Sequence, residues 1–137
     1  MPTTKAAVLF LCQYGGAKSV IAASYFNRLA AERALPYAGV AAAAEEPYDA
    51  VLAPVAALLE SEGFDVHAFK PRRVETEDVK NASKVVSIDC NPEHVNVAEV
   101  MVERWDDVPQ ASVDLDASAA AIRRHVEALV EELRGRQ

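Results

Sequence analysis

The spacing of apolar residues changes repeatedly along this chain, and each change marks a new element. Ala6 to Leu11, with AVLFL at its heart, is an unbroken apolar run that stops at Gly15-Gly16. A short run without alternation is expected of a parallel strand buried on both faces, and therefore central in its sheet. From Lys18 to about Arg33 the period lengthens: Val20, Ile21, Ala23, Tyr25, Phe26, Leu29 and Ala30 recur three to four apart, with Arg28, Glu32 and Arg33 on the other side, which predicts an amphipathic helix. Tyr37 to Ala44 reads as a second strand rich in small residues, and Pro54 to Glu62 as a second helix closed by Gly63. Thr76 to Ala82 is expected to be a short helix with Thr76 as its N-cap, followed by a β-branched buried strand over Lys84 to Ile88. Val97 to Trp105, weakly alternating, is the expected last strand, after a loop or short helix around Pro92 to Val95. From Asp114 or Asp116 onward, Ala120, Ile122, Val126, Leu129, Val130 and Leu133 define a long helix, acidic at its start and carrying Arg134 and Arg136 near its end. Strand and helix alternate throughout, so the predicted class is α/β with a parallel sheet.

Composition narrows this to one domain spanning residues 1–137, because 137 residues at 51% apolar content suit a single core. A net charge of −7 and a pI near 4.9 argue against a surface that neutralises nucleic acid or anionic lipid, so neither a nucleic-acid nor a membrane partner is expected. The apolar run at Ala6 to Leu11 is too short for a membrane span and lacks a cleavage pattern, which predicts a cytoplasmic protein. Cys12 and Cys90 are too few for a disulfide framework. His67, His94 and His125 stand far apart and follow no ligand spacing, so no metal or cofactor is expected. The oligomeric state is not legible in the sequence.

The candidate chemistry sits in Cys12-Gln13-Tyr14-Gly15-Gly16-Ala17-Lys18-Ser19, between the first strand and the first helix. Strand ends that lead into helix N-termini collect anions in parallel sheets. Gly15 and Gly16 allow successive backbone N–H groups to converge, and Lys18 adds a full positive charge. A thiol in such a setting is expected to fall from about 8.5 toward roughly 3.5 to 7.5, so that Cys12 is a nucleophilic thiolate. Ser19 is placed to donate a hydrogen bond to that sulfur.

These residues resemble the low-molecular-weight protein tyrosine phosphatases and the thioredoxin-coupled arsenate reductases that share their fold. Val8 to Cys12, five further residues, then Lys18-Ser19-Val20-Ile21-Ala22-Ala23-Ser24-Tyr25-Phe26 look like that family's strand, Cys-x5-Arg-Ser loop and first helix. Tyr37-Ala38-Gly39-Val40, Glu62-Gly63-Phe64-Asp65, Phe69-Lys70-Pro71-Arg72, Ala82 to Asp89 and Trp105 to Pro109 follow in the family's order. The resemblance covers nearly the whole chain. It implies a four-stranded parallel sheet with helices on both faces, the phosphotyrosine protein phosphatase I-like fold, and hydrolysis of phosphate monoesters, phosphotyrosine among them, through a phosphocysteine.

The sequence departs from that pattern in three places. Lys18 replaces the loop arginine, and an ammonium cannot reproduce the two-pronged grip of a guanidinium, so weak catalysis is expected. Loss of one such donor costs on the order of 10² to 10³ in turnover. Tyr14, Gly15 and Ala17 stand where the family has glycine, asparagine and often a second cysteine; Tyr14 then becomes a wall of the pocket, with Tyr48 at its rim. The leaving-group acid belongs near Trp105-Asp106-Asp107-Val108-Pro109, where Asp107 is the first candidate and Asp106 the second. The expected anion-binding set is thus Gln13, Tyr14, Gly15, Gly16 and Ala17, and the catalytic set Cys12, Lys18, Ser19 and Asp107. Cys90 opens a second reading, an arsenate reductase in which it relays with Cys12, and a third is an oxyanion-binding module without turnover.

Overall fold

A computed structural model describes residues 6–90 and 102–135. Four parallel strands, β1 (Ala6–Cys12), β2 (Tyr37–Ala43), β3 (Ala82–Ile88) and β4 (Val102–Trp105), lie in the order β2-β1-β3-β4. Helices α1 (Lys18–Glu32), α2 (Ala53–Ser61), α3 (Thr76–Asn81) and α4 (Leu115–Arg134) connect and cover them. β1 is interior, as its unbroken apolar run predicts. Val8, Phe10 and Cys12 face the core built with α1, α2 and α4, while Leu9 and Leu11 face a smaller cluster containing Val79 of α3 and Val74. Both faces of β1 are therefore dry, which is why alternation is absent from its sequence.

The larger core centres on Phe10, whose ring packs 5.5 Å from that of Phe26 and 5.8 Å from that of Trp105. Gly39 of β2 sits close against this packing. A Cβ there would lie 3.1 Å from Phe26 Cδ1 and 3.2 Å from Phe10 Cε2. The order of strands reverses at β1, with β2 on one side and β3 on the other, so the chain leaves the ends of β1 and β3 in different directions. That divergence opens a crevice at the carboxyl edge of the sheet.

One element boundary differs from expectation, one is described only in part, and one is settled between two candidates. The N-cap of α3 is Glu75 rather than Thr76, because the Glu75 N–H donates to Asp78 Oδ2 at 2.8 Å and Arg72 clamps Asp78 with two bonds of 2.7 Å. The last strand is confined to Val102–Trp105 within the described residues, and Val97 to Met101, like Pro92 to Val95, lie outside them. Of the two candidate starts for the last helix, Asp114 is the cap: its Oδ1 accepts from the Ala117 N–H at 3.0 Å.

Ser118, in the first turns of α4, is fully buried and its hydroxyl has no hydrogen-bond partner among the described residues. An unsatisfied buried hydroxyl costs about 1 kcal/mol or more, and alanine is the better helix former. Ser118→Ala is accordingly expected to stabilise the fold by about 1 kcal/mol, read as a higher urea midpoint at unchanged slope.

Candidate active site

The loop from Cys12 to Lys18 is held from outside by its carbonyls. Those of Cys12, Gln13, Tyr14 and Gly16 accept from the N–H groups of Ala44, Glu45, Tyr48 and Leu52, at 2.9 to 3.1 Å. In a trans peptide the N–H points opposite to the C=O, and no cis bond occurs here, so the amides of Gln13, Tyr14, Gly15 and Ala17 turn away from that segment. No backbone N–H from Gln13 to Ser19 donates to another described residue. Nor does a side chain cap α1, where Ala17 stands at the N-cap position. Unspent donors and a positive helix end thus meet in one loop.

Its two glycines serve different purposes. Gly15 has φ +71°, the left-handed conformation that glycine adopts at no steric cost. Gly16 is needed for space, since a Cβ would fall 2.7 Å from Tyr48 Cδ2 and 3.3 Å from the Ala50 carbonyl oxygen.

Beside this loop lies a cavity of about 230 Å³. The loop supplies Cys12, Gln13, Tyr14, Gly16, Ala17 and Lys18; Tyr48 and Leu52 come from the connection to α2, Ile88 and Asp89 from the end of β3, and Gln110, Ala111 and Ser112 from the segment before α4. Tyr14 and Tyr48 pack with ring centroids 5.0 Å apart, forming an aromatic wall. Cys12 is buried, 6% exposed, and its Sγ lies 3.2 Å from Oγ of the fully buried Ser19. Lys18 points inward, its side chain 12% exposed, with Nζ 3.3 Å from Asp89 Oδ2. Cys12, Gln13, Tyr14, Gly16, Ala17 and Lys18 therefore meet at one cavity with Ser19 against the sulfur, whereas Gly15 is outside the lining.

Asp107 is not brought to them. It is absent from the lining, its side chain is 70% exposed, and its Oδ1 lies 2.7 Å from His125 Nε2. The hydrogen bond from His125 holds its carboxyl below the usual carboxylate range, the reverse of what a proton donor needs. His125 is itself stacked on Trp105, with centroids 4.7 Å apart, so this pair belongs to the packing of α4 on β4. Asp106 pairs with Arg104 at 3.1 Å, also away from the cavity lining.

Cys90 is likewise outside the lining and packs with the smaller cluster on the opposite face of the sheet from Cys12. Burial pushes its thiol above the ordinary value, a hydrogen bond with Ser87 Oγ at 3.4 Å works against this, and the charge of Cys12 adds to the rise. His67 meets Glu60 at the surface, and His94 lies outside the described residues. Among the described residues no three His, Cys, Asp or Glu side chains gather as a metal site would require. No described helix is long and apolar enough to cross a membrane.

Two parts of the cavity are not evident from sequence spacing. Asp89 follows a strand end, where a polar residue is unremarkable, and nothing marks Gln110-Ala111-Ser112 beyond their nearness to a helix cap.

No family model matches the chain, and no curated protein matches it. Solved structures do. A thioredoxin-dependent arsenate reductase from Corynebacterium glutamicum superposes with TM-score 0.83 at 14% identity, over 100% of this chain and 66% of that one. This chain thus spans about two thirds of that protein's length. An arsenate reductase from Archaeoglobus fulgidus matches with TM-score 0.73 at 27% identity, over 90% of this chain and 98% of that one. A low molecular weight protein tyrosine phosphatase from T. tengcongensis matches with TM-score 0.69 at 18% identity, over 93% and 99% of the two chains. With its four parallel strands and its helices on both faces, the chain belongs, by fold, to the superfamily of the low molecular weight protein tyrosine phosphatases and arsenate reductases.

Proposed function

We propose that this protein hydrolyses phosphate monoesters through a phosphocysteine formed on Cys12. The observation that carries this reading is the placement of Cys12 Sγ on the cavity wall, 3.2 Å from a buried hydroxyl, beside a loop whose amides have no protein acceptor among the described residues. Those amides and the Lys18 ammonium bind the equatorial oxygens of a phosphoryl group, where negative charge accumulates in transfer. Sulfur attacks phosphorus in line with the leaving oxygen, and water then releases phosphate. Ser19 Oγ donates to the sulfur as it departs, which favours breakdown of the intermediate.

The neighbouring structures carry the names of a phosphatase and of arsenate reductases, enzymes of two tetrahedral oxyanions with the same demands on a cradle. Reduction of arsenate by this chain alone would need a second thiolate to reach the Cys12 adduct. Cys90 packs on the other face of the sheet, with its thiol raised by burial, and is a poor attacking group there. Hydrolysis is therefore the reading favoured over a two-cysteine relay.

The test is release of nitrophenol from p-nitrophenyl phosphate, together with acid quenching and mass measurement to trap a phosphoryl group on the Cys12 peptide. Turnover with a trapped adduct supports the proposal. Binding of phosphate without turnover or adduct defeats it in favour of a binding module. Because a guanidinium can hold two oxygens at once where an ammonium holds them as a point charge, Lys18→Arg is expected to raise kcat about tenfold or more, measured on the same ester.

A further inference from the structure

The site still lacks the group that protonates the leaving alcohol. Among the described lining residues Asp89 bears the one carboxyl. Its backbone has φ +51°, a conformation that costs a side-chain-bearing residue about 1 kcal/mol and is tolerated best by Asp and Asn. The Asp89 N–H donates to the Trp105 carbonyl at 3.1 Å, which ties this bend to the end of β4. The bend leaves the carboxyl on the cavity wall, 3.3 Å from Lys18 Nζ. Strain held by tertiary contacts at a cavity edge is a reason to look for function there.

We infer that Asp89 is the general acid of this site, loaded with its proton by the arrival of the substrate's own charge; the inference rests on the phosphomonoester reading above. In the free protein the Asp89 carboxylate neutralises Lys18. A phosphoryl dianion entering the loop takes the Lys18 hydrogen bonds for itself. Asp89 is then left beside negative charge without its cation, and neighbouring like charges favour the protonated carboxyl, whose proton comes from solvent. In the first step the Cys12 thiolate forms the S–P bond as the P–O bond to the leaving group breaks. The electron pair stays on that oxygen, which takes the proton from Asp89, giving the alcohol, phosphocysteine and a carboxylate. In the second step the Asp89 carboxylate takes a proton from water as the water oxygen bonds to phosphorus. The S–P bond breaks, sulfur leaves as thiolate, and the sum is ester plus water to alcohol plus phosphate.

Asp89→Asn is the variant of choice because asparagine also accepts the left-handed backbone. A proton donor matters most when the leaving oxygen is basic. Asp89→Asn is expected to lower kcat about 10²-fold on phenyl phosphate and less than about tenfold on dinitrophenyl phosphate, while Asp107→Asn changes neither more than about twofold. Equal losses on both esters would make Asp89 a positioning residue for Lys18 and overturn the inference, as would sensitivity at Asp107 instead. A second arm needs no turnover. In Cys12→Ser protein, where no thiol lines the cavity, calorimetric titration with sulfate in two buffers of different ionisation heat should show proton uptake on binding, and adding Asp89→Asn should remove it. Uptake that survives the second substitution, or binding without uptake, overturns the loading step. Absence of aryl-phosphate turnover in the wild type would instead defeat the hydrolase reading itself, and with it the acid role.

Discussion

Cys12→Ser is expected to lower turnover of an aryl phosphate by at least about 10³-fold while leaving the fold and the affinity for inorganic phosphate nearly unchanged. Serine keeps the geometry but not the chemistry: a hydroxyl is almost wholly protonated at neutral pH and is the weaker nucleophile without a base beside it. Packing changes little, since one small buried side chain replaces another and its Ser19 neighbour remains within reach. The amides from Gln13 to Ser19 and the Lys18 ammonium are untouched, so phosphate should bind within about threefold of the wild-type affinity. The loss therefore falls on kcat, as expected when an interaction used only in the transition state is removed. Steady-state kinetics beside phosphate titration makes the distinction. Retained turnover would mean that the reacting group lies elsewhere.

The largest effect on stability is expected from Lys84. This residue of β3 is buried, its side chain 4% exposed, and its Nζ lies 2.7 Å from Glu103 of β4 and 2.8 Å from Glu132 of α4. Burial works to lower its ammonium, but the hydrogen bonds with the two carboxylates outweigh it and the net shift is upward. For Glu103 burial raises, while the bonds from Lys84 and from the Trp105 indole lower, and the net is below the ordinary value of 4.5. Removing the cation leaves two facing carboxylates, so Lys84→Ala should cost about 3 kcal/mol, the partial exposure of both glutamates keeping the figure at the low end for a broken buried pair. Against a total stability of about 5 to 15 kcal/mol this is a large fraction.

The pH dependence has a definite sign. A lowered carboxyl contributes stability that is present above its unfolded value and lost as pH falls through the folded one. A raised ammonium contributes below its unfolded value, near 10.5, and loses it as pH rises through the folded one. The deficit of Lys84→Ala should thus be full between about pH 5 and 10 and narrow in acid, where Glu103 is protonated in both proteins. Urea midpoints of wild type and variant across that range would show it, and a deficit constant down to pH 3 would contradict it.

Much of the architecture was legible because it depends on neighbours in sequence. The strand at Ala6–Cys12 shows in its unbroken apolar run, and α1 and α4 in their three-to-four spacing, since each element must match the face it buries. α3 is a counterexample at small scale. Thr76 is the better intrinsic cap, yet Glu75 takes the place because Asp78 bonds back to its N–H while Arg72 holds Asp78 from the preceding turn. Six residues leave little propensity to resist such contacts.

For the candidate site the division is sharper. Cys12, Gly15, Gly16, Lys18 and Ser19 lie within eight consecutive residues, and the proposed anion cradle, made of one loop and one helix end, is a local object, readable from residue types and their order. The proposed acid is not local. Asp107 looked suitable in the late loop, but the packing of α4 on β4 turns it toward His125, while the reversal of strand order at β1 sets Asp89, 71 positions from Lys18, at ion-pair distance from it. The face on which Cys90 packs was decided in the same way: alternation from Val86 and Ile88 would put it with Cys12, but the left-handed bend at Asp89 intervenes and it packs with the other cluster. Composition and period determined which segments become strands, helices and the glycine-containing loop between β1 and α1; which distant side chains meet that loop was decided by tertiary structure alone, because the register between strands belongs to no single segment.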